Sequence, residues 1–286
     1  MDKIVVEAKG LGFRYRDASG KRKALDDVSF DVREGEFFCV IGANGSGKST
    51  LCNALVGLIP HYFAGRMKGT VLVHGADTRE STIGDLSMRI GLVFQNPFNQ
   101  LSYTAGTVAE ELAYGLGNRG VPREEMVRRV ERVAKLMRID HIVHKNPLEL
   151  SGGQVQRVAF GSTFIAEPSI LVLDECTTQL DPLGSEEIFD IVKELNKSGV
   201  TVIMVDHDME RVARCADRVM VLEGGKVAVI DSPARIFGDP DILARGVAAP
   251  DYVAICRALK DRGYYSGDLE VEEESTIAAV KESLSK

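Results

Sequence analysis

The segment Gly42-Ala43-Asn44-Gly45-Ser46-Gly47-Lys48-Ser49-Thr50 constrains this 286-residue chain more than any other. It fits the spacing G-x-x-x-x-G-K-[ST], which average residue frequencies would produce by chance in a chain this long on the order of once in a hundred. Before it runs Phe37-Phe38-Cys39-Val40-Ile41, an apolar stretch without polar alternation, which predicts a strand buried on both faces of a parallel sheet. After it, Leu51, Leu55 and Leu58 keep helical spacing. A buried strand, a glycine-rich turn and a helix form the context that separates a phosphate-binding loop from an incidental cluster of glycines. The glycines let backbone N–H groups close round phosphate oxygens, and the helix adds the positive end of its dipole. Lys48 is then placed to reach the β- and γ-phosphates of a nucleotide, and the Ser49 hydroxyl to ligate Mg²⁺. Gly42, Asn44, Gly45, Ser46, Gly47 and Thr50 make up the rest of the expected cradle.

Such a loop needs an acidic partner at the end of a neighbouring buried strand. Ile170-Leu171-Val172-Leu173-Asp174-Glu175 supplies one: Asp174 is expected to hold Mg²⁺ directly or through water, and Glu175 to polarise the attacking water. Val200 to Val205 is a further apolar strand candidate, and each of these two follows a helix-period segment, the alternation of a doubly wound α/β sheet. Strands are also expected at Ile4 to Val6, Val28 to Val32 and Thr70 to Val73. Helical character dominates from Thr107 to about Ile139, with Met126, Val130, Val133 and Met137 on one face and Pro122 in a first helical turn. Glu124–Arg128, Glu125–Arg129 and Glu131–Lys135 are expected to pair on the outer face. Two tail helices are expected: one from Pro250 to Arg262, one marked by Ile277, Val280 and Leu284.

Composition limits the partners. The chain holds no run of roughly 20 predominantly apolar residues, so no segment is expected to cross a bilayer. Its N-terminus, Met1-Asp2-Lys3-Ile4, lacks the basic-then-apolar pattern of a signal peptide, which points to the cytoplasmic side. A net charge of −7 disfavours constitutive nucleic-acid binding, so no nucleic-acid partner is expected. Residues 239–286 carry ten acids and six bases, most of that excess. Cys39, Cys52, Cys176, Cys215 and Cys256 are scattered without a C-x-x-C pair, and read as buried thiols in a reducing compartment.

Leu150-Ser151-Gly152-Gly153-Gln154 matches the signature of the ATP-binding cassette (ABC) ATPases, and the chain resembles that superfamily over roughly residues 3–237. The resemblance implies an α/β P-loop NTPase cassette: a RecA-like core, an N-terminal antiparallel β-subdomain and a helical subdomain at about 96–165. It implies ATP and Mg²⁺ as cofactors and a head-to-tail dimer that sandwiches two ATP molecules. Ser151, Gly152, Gly153 and Gln154 of one chain would then face the nucleotide held by Lys48 of the other. Tyr15 resembles the aromatic that stacks on adenine, and Gln95 the glutamine that touches Mg²⁺ and relays to a membrane partner. Leu180-Asp181 resembles the loop that crosses the dimer interface. His207, ending an apolar strand, resembles the histidine that bonds the γ-phosphate. Cys176 departs from the pattern, since proline usually follows the catalytic glutamate, and its loss could loosen the turn.

Within the superfamily, Gln95-Asn96-Pro97-Phe98-Asn99-Gln100-Leu101 and Thr177-Thr178-Gln179-Leu180-Asp181-Pro182 resemble the energy-coupling factor (ECF) transporter ATPases. Glu223-Gly224-Gly225-Lys226 and Ser232-Pro233-Ala234-Arg235-Ile236-Phe237 agree. That family implies uptake of a vitamin or transition-metal ion through separate integral membrane subunits, with the ATPase peripheral on the cytoplasmic face of the membrane. It also implies a homodimer, or pairing with a similar ATPase. Residues 1–237 would form the cassette and 238–286 a helical extension that helps hold the dimer. The alternatives are the ATPase of another ABC transporter class, or a soluble cassette acting on nucleic acid or ribosomes. Against the latter, Lys48 and Ser151 lie only 103 residues apart, without the sustained heptads of chromosome-maintenance relatives.

Overall fold

Each residue of Phe37–Ile41 is buried, and the side chains alternate between two separate apolar cores. Phe37, Cys39 and Ile41 enter one core, Phe38 and Val40 the other. That is why the strand shows no polar alternation: both faces of its sheet are covered. The computed structural model describes residues 3–16, 23–177, 180–267 and 273–284. Strand β1 (Ile4–Tyr15) pairs antiparallel with β2 (Leu25–Arg33), and β3 (Phe37–Ile41) follows. Helices α1 (Lys48–Leu55) and α2 (Leu58–His61) lead to β4 (Gly65–Val73), which pairs with the other edge of β1, and to the short β5 (Ala76–Asp77). After α3 (Ile83–Leu86) and β6 (Ile90–Val93) come three helices, α4 (Val108–Asn118), α5 (Arg123–Leu136) and α6 (Gly152–Phe164). The chain returns through β7 (Ile170–Asp174), α7 (Pro182–Lys197), β8 (Thr201–Val205), α8 (Met209–Cys215), β9 (Arg218–Glu223) and β10 (Lys226–Asp231). Helices α9 (Pro233–Gly238), α10 (Asp251–Asp261) and α11 (Glu273–Leu284) close it.

The second sheet has the order β10-β9-β3-β8-β7-β6, parallel except for β10. Its two faces meet the four-stranded sheet with α1 on one side and the helices α4 to α7 on the other. This is the α/β P-loop architecture expected from the resemblance. Phe38 is fully buried, stacks on Phe30 at 5.6 Å between ring centres, and lies under the Arg218 guanidinium at 5.3 Å. Phe38→Ala should therefore cost about 3–5 kcal/mol. Urea denaturation measures it, and a loss well under 1 kcal/mol would show that the core closes over the gap.

Several expectations need correction. The helical stretch from Thr107 to Ile139 is two helices, because Gly120 turns left-handed (φ 69°) and Pro122, placed before the first turn rather than in it, caps α5. Leu58 leaves the α1 register, because Gly57 adopts φ 77° where a Cβ would strike Leu86. On α5, Arg128 and Arg129 both pair with Glu125, at 2.8 and 2.7 Å, in place of a separate Glu124–Arg128 pair. Strands β6, β9 and β10 carry no expectation from sequence. On α11, Ile277 is exposed, and the Leu284 side chain lies outside the described residues, as do Thr178 and Gln179.

Candidate functional site

Strand β3 delivers the chain to Gly42 beside β9, so tightly that a Cβ there would lie 2.1 Å from the Leu222 carbonyl oxygen. At the far end of the loop, Gly47 (φ 109°) starts α1, and no side chain caps that helix. Its first-turn N–H groups therefore face the loop without a capping acceptor, the arrangement that binds phosphate. Lys48 is 7% exposed, and its ammonium donates to the carbonyls of Gly42 (2.8 Å) and Ala43 (3.3 Å). It also lies 3.7 Å from a Glu175 carboxylate oxygen.

Strand β7 brings the carboxylates. The Ser49 hydroxyl donates to Asp174 Oδ1 at 3.1 Å, although the two residues stand 125 positions apart. Burial raises the Asp174 carboxyl above its usual range, against the Ser49 hydrogen bond, which lowers it. Glu175 adopts the left-handed conformation (φ 46°), uncommon outside glycine, while its N–H donates to Val205 O at the end of β8 (3.0 Å). The Glu175 side chain thereby turns back over the loop, where Gln95 Nε2 donates to its Oε2 at 2.8 Å. Gln95 follows β6. Its segment is tied to α6 by Gln100, which accepts from the Phe94 N–H (3.2 Å) and donates to Ala159 O (2.8 Å).

Tyr15, Asn44, Gly45, Gly47, Lys48, Ser49, Thr50, Gln95 and Glu175 all line one cleft of about 510 Å³, and Ala24 joins them. Tyr15 is held by its hydroxyl, 3.1 Å from Thr50 Oγ1, and by edge contacts with Phe13 and Phe63. Gly42 and Ser46 shape the loop from behind; the Ser46 hydroxyl is buried with no hydrogen-bond partner among the described residues. The Ser49 hydroxyl, which lines the cleft, and the Asp174 carboxylate it donates to form an oxygen pair that suits a hard cation such as Mg²⁺. Among the described residues no cluster of three or more His, Cys, Asp or Glu side chains makes a metal cage. Mg²⁺ bound by one or two protein oxygens and substrate phosphates needs none.

Asp174 reaches this cleft only through Ser49, and neither the Ser151–Gln154 group nor His207 lines it. Ser151 caps α6 in a reciprocal box: its Oγ accepts from Gln154 N at 3.4 Å, and Gln154 Oε1 accepts from Ser151 N at 3.0 Å. With Gly152 and Gly153 it forms an open helix start away from the chain's own loop. His207 follows β8 as expected, but its side chain is 70% exposed, with Asp206 Oδ1 at 3.8 Å from Nδ1. Asp181 caps α7 through the Gly184 N–H at 2.7 Å. Cys176 is buried, and burial pushes its thiol well above the ordinary range, so it packs as a small apolar group. Of the histidines without a motif, His61 donates to Thr78 O (2.9 Å) and His74 bonds Ser169 Oγ (2.8 Å).

Comparison with known proteins places this geometry in company. The family model described as ABC transporter matches residues 25–178. An energy-coupling factor transporter ATP-binding protein, EcfA1 of Bacillus licheniformis, is 41% identical over 263 residues, covering 91% of this chain and 90% of that one. The solved structure of cbiO1 from Clostridium perfringens, part of the ABC transporter complex cbiONQ, superposes with a TM-score of 0.70. It is 30% identical and covers 91% of this chain and 96% of that one. A dimeric ATP-binding cassette in a post-hydrolysis state, bound to ADP and Pi, gives a TM-score of 0.70 at 28% identity, over 80% of this chain and 98% of that one.

Proposed function

The chain belongs to the ABC transporter family as an ATP-hydrolysing cassette of the energy-coupling-factor and cobalt type, and from that premise we propose that it powers uptake of a vitamin or transition-metal ion through separate membrane subunits. The observation that carries the reading is the meeting of Lys48, the Ser49–Asp174 pair and the Gln95–Glu175 pair in one cleft. Tyr15 stacks on adenine, the loop from Gly42 to Thr50 wraps the phosphates, and Lys48 exchanges its loop carbonyls for β- and γ-oxygens. Ser49 and Asp174, with Gln95, would hold Mg²⁺, which would supply neutralisation of phosphate charge. Glu175 takes a proton from the attacking water as that water's oxygen bonds the γ-phosphorus. The bond from the γ-phosphorus to the bridging oxygen breaks, and ADP leaves. His207 donates to the γ-phosphate and orients the water.

The second half of each site comes from a partner ATPase, a second copy or a similar chain. Its Ser151, Gly152, Gly153 and Gln154 close over the nucleotide. Residues 1–237 form the cassette and 238–286 an extension that holds the dimer, where Leu243, Ile255 and Tyr264 are exposed apolar side chains. No helix among the described residues is long and apolar enough to cross a membrane. Work on the membrane therefore passes to partners through the segment Asn96 to Tyr103, on which Phe98 is exposed. Affinity purification of the full chain from solubilised membranes should recover integral membrane subunits. Recovery with ribosomes or DNA alone would overturn the importer and leave the ATPase standing.

A further inference from the structure

We propose that Arg211 is a positioning residue for hydrolysis: its guanidinium fixes the backbone that presents His207 to the first turn of α7. The proposal rests on the reading of His207 given above.

His207 has little to orient it directly: its side chain is mostly exposed, and among the described residues its one charged neighbour is Asp206, at 3.8 Å. Its placement must come from the backbone, and Asp206 holds that backbone. One carboxylate oxygen of Asp206 accepts from the N–H groups of His207 (2.7 Å) and Asp208 (3.0 Å). The other accepts from Arg211 Nη1 at 2.9 Å. Arg211 is itself 7% exposed, and the rest of its fork reaches two other segments. Nη1 also donates to Thr177 Oγ1 (3.3 Å), just beyond Glu175, while Nη2 donates to Ser185 Oγ (2.9 Å) and Glu186 (3.4 Å) in the first turn of α7. The Phe189 ring of the same helix lies 5.3 Å from the guanidinium carbon.

One cation thus ties three pieces of chain that carry separate parts of the site. These are the turn after Glu175, the helix that Asp181 caps, and the loop bearing His207. Only a planar fork reaches all three; a lysine keeps the charge beside Asp206 but not the geometry. A buried ion pair of this kind is weak support for stability by itself, because both groups lose hydration. Its contribution here is to orientation.

The test uses the purified full chain and compares Arg211→Lys and Ser185→Ala, alone and combined with His207→Ala. Arg211→Lys should lower kcat by about ten-fold or more while ATP affinity stays within about two-fold. In the His207→Ala background it should cause no further loss, because the residue acts through the histidine. Ser185→Ala removes only the arm to α7 and should lower kcat less, with the same non-additivity; it carries the test if the lysine variant fails to fold. An equal loss with and without His207, or an unchanged kcat, overturns the role of Arg211. Wild-type turnover in His207→Ala overturns the reading of that histidine, and this inference with it. A crippled His207→Ala beside an unaffected Arg211→Lys overturns the inference alone.

Discussion

Glu175→Gln should leave ATP binding intact and lower turnover by about 10²–10⁴-fold, the usual contribution of a positioned general base. The substitution is nearly isosteric. A glutamine carbonyl still accepts from Gln95 Nε2, now 2.8 Å from the carboxylate, so the cleft keeps its shape. What disappears is the proton acceptor and the negative charge 3.7 Å from Lys48. Losing that charge frees Lys48 for phosphate, so affinity should hold or rise. ATP bound but not cleaved keeps both halves of the dimer engaged, and size-exclusion chromatography with ATP should show a stable dimer in the variant. Near wild-type turnover would mean that another group takes the proton.

Gly47→Ala should abolish useful nucleotide binding. A Cβ at this position would sit 2.5 Å from the Ala24 carbonyl oxygen and 3.0 Å from the Leu25 side chain, on a backbone at φ 109°. Backbone and side chains of that kind do not yield cheaply, and strain of about 1–3 kcal/mol alone corresponds to roughly 5- to 150-fold in an equilibrium. The relief open to the chain is to swing the start of α1, and with it the uncapped N–H groups that receive phosphate. Titration with a fluorescent ATP analogue measures the loss. Gly35→Ala is the control: its φ is also positive, at 74°, but beyond its chain neighbours no atom of the described residues lies within 4 Å of the added carbon. It should bind nucleotide normally, and equal losses in both variants would assign the effect to general destabilisation.

The parts of this fold that sequence disclosed are those where one short segment carries the whole signal. Strands β3, β7 and β8 are buried on both faces, so each reads as an unbroken apolar run, and the P-loop announces itself through spacing. Strand β6 escaped because it is four residues long and contains Gly91, which is there because a Cβ would lie 2.6 Å from Thr163. The boundary between α4 and α5 was legible in part: Pro122 marks a helix start, which the structure sets one residue later, at Arg123. Within the site, the cleft residues were legible through their motifs. Ala24 and Phe63 were not, since they act by position in three dimensions and carry no distinctive chemistry. Arg211 is the extreme case: its partners Thr177, Ser185 and Asp206 come from three segments, and no local pattern unites them.

The left-handed backbone at Glu175 has a consequence for how this chain can change. An L-residue with a long side chain in that region sits above its preferred conformations by about 1–2 kcal/mol, and glycine would not. Folding taken alone favours Glu175→Gly, while the proposed chemistry requires a carboxylate turned over the phosphates. Selection for stability and selection for activity therefore pull this one position in opposite directions. Stabilising substitutions elsewhere in the sheet offset that strain and widen the range of sequences the chain can visit. A stabilising change at position 175 itself leaves a sturdier protein that no longer turns over.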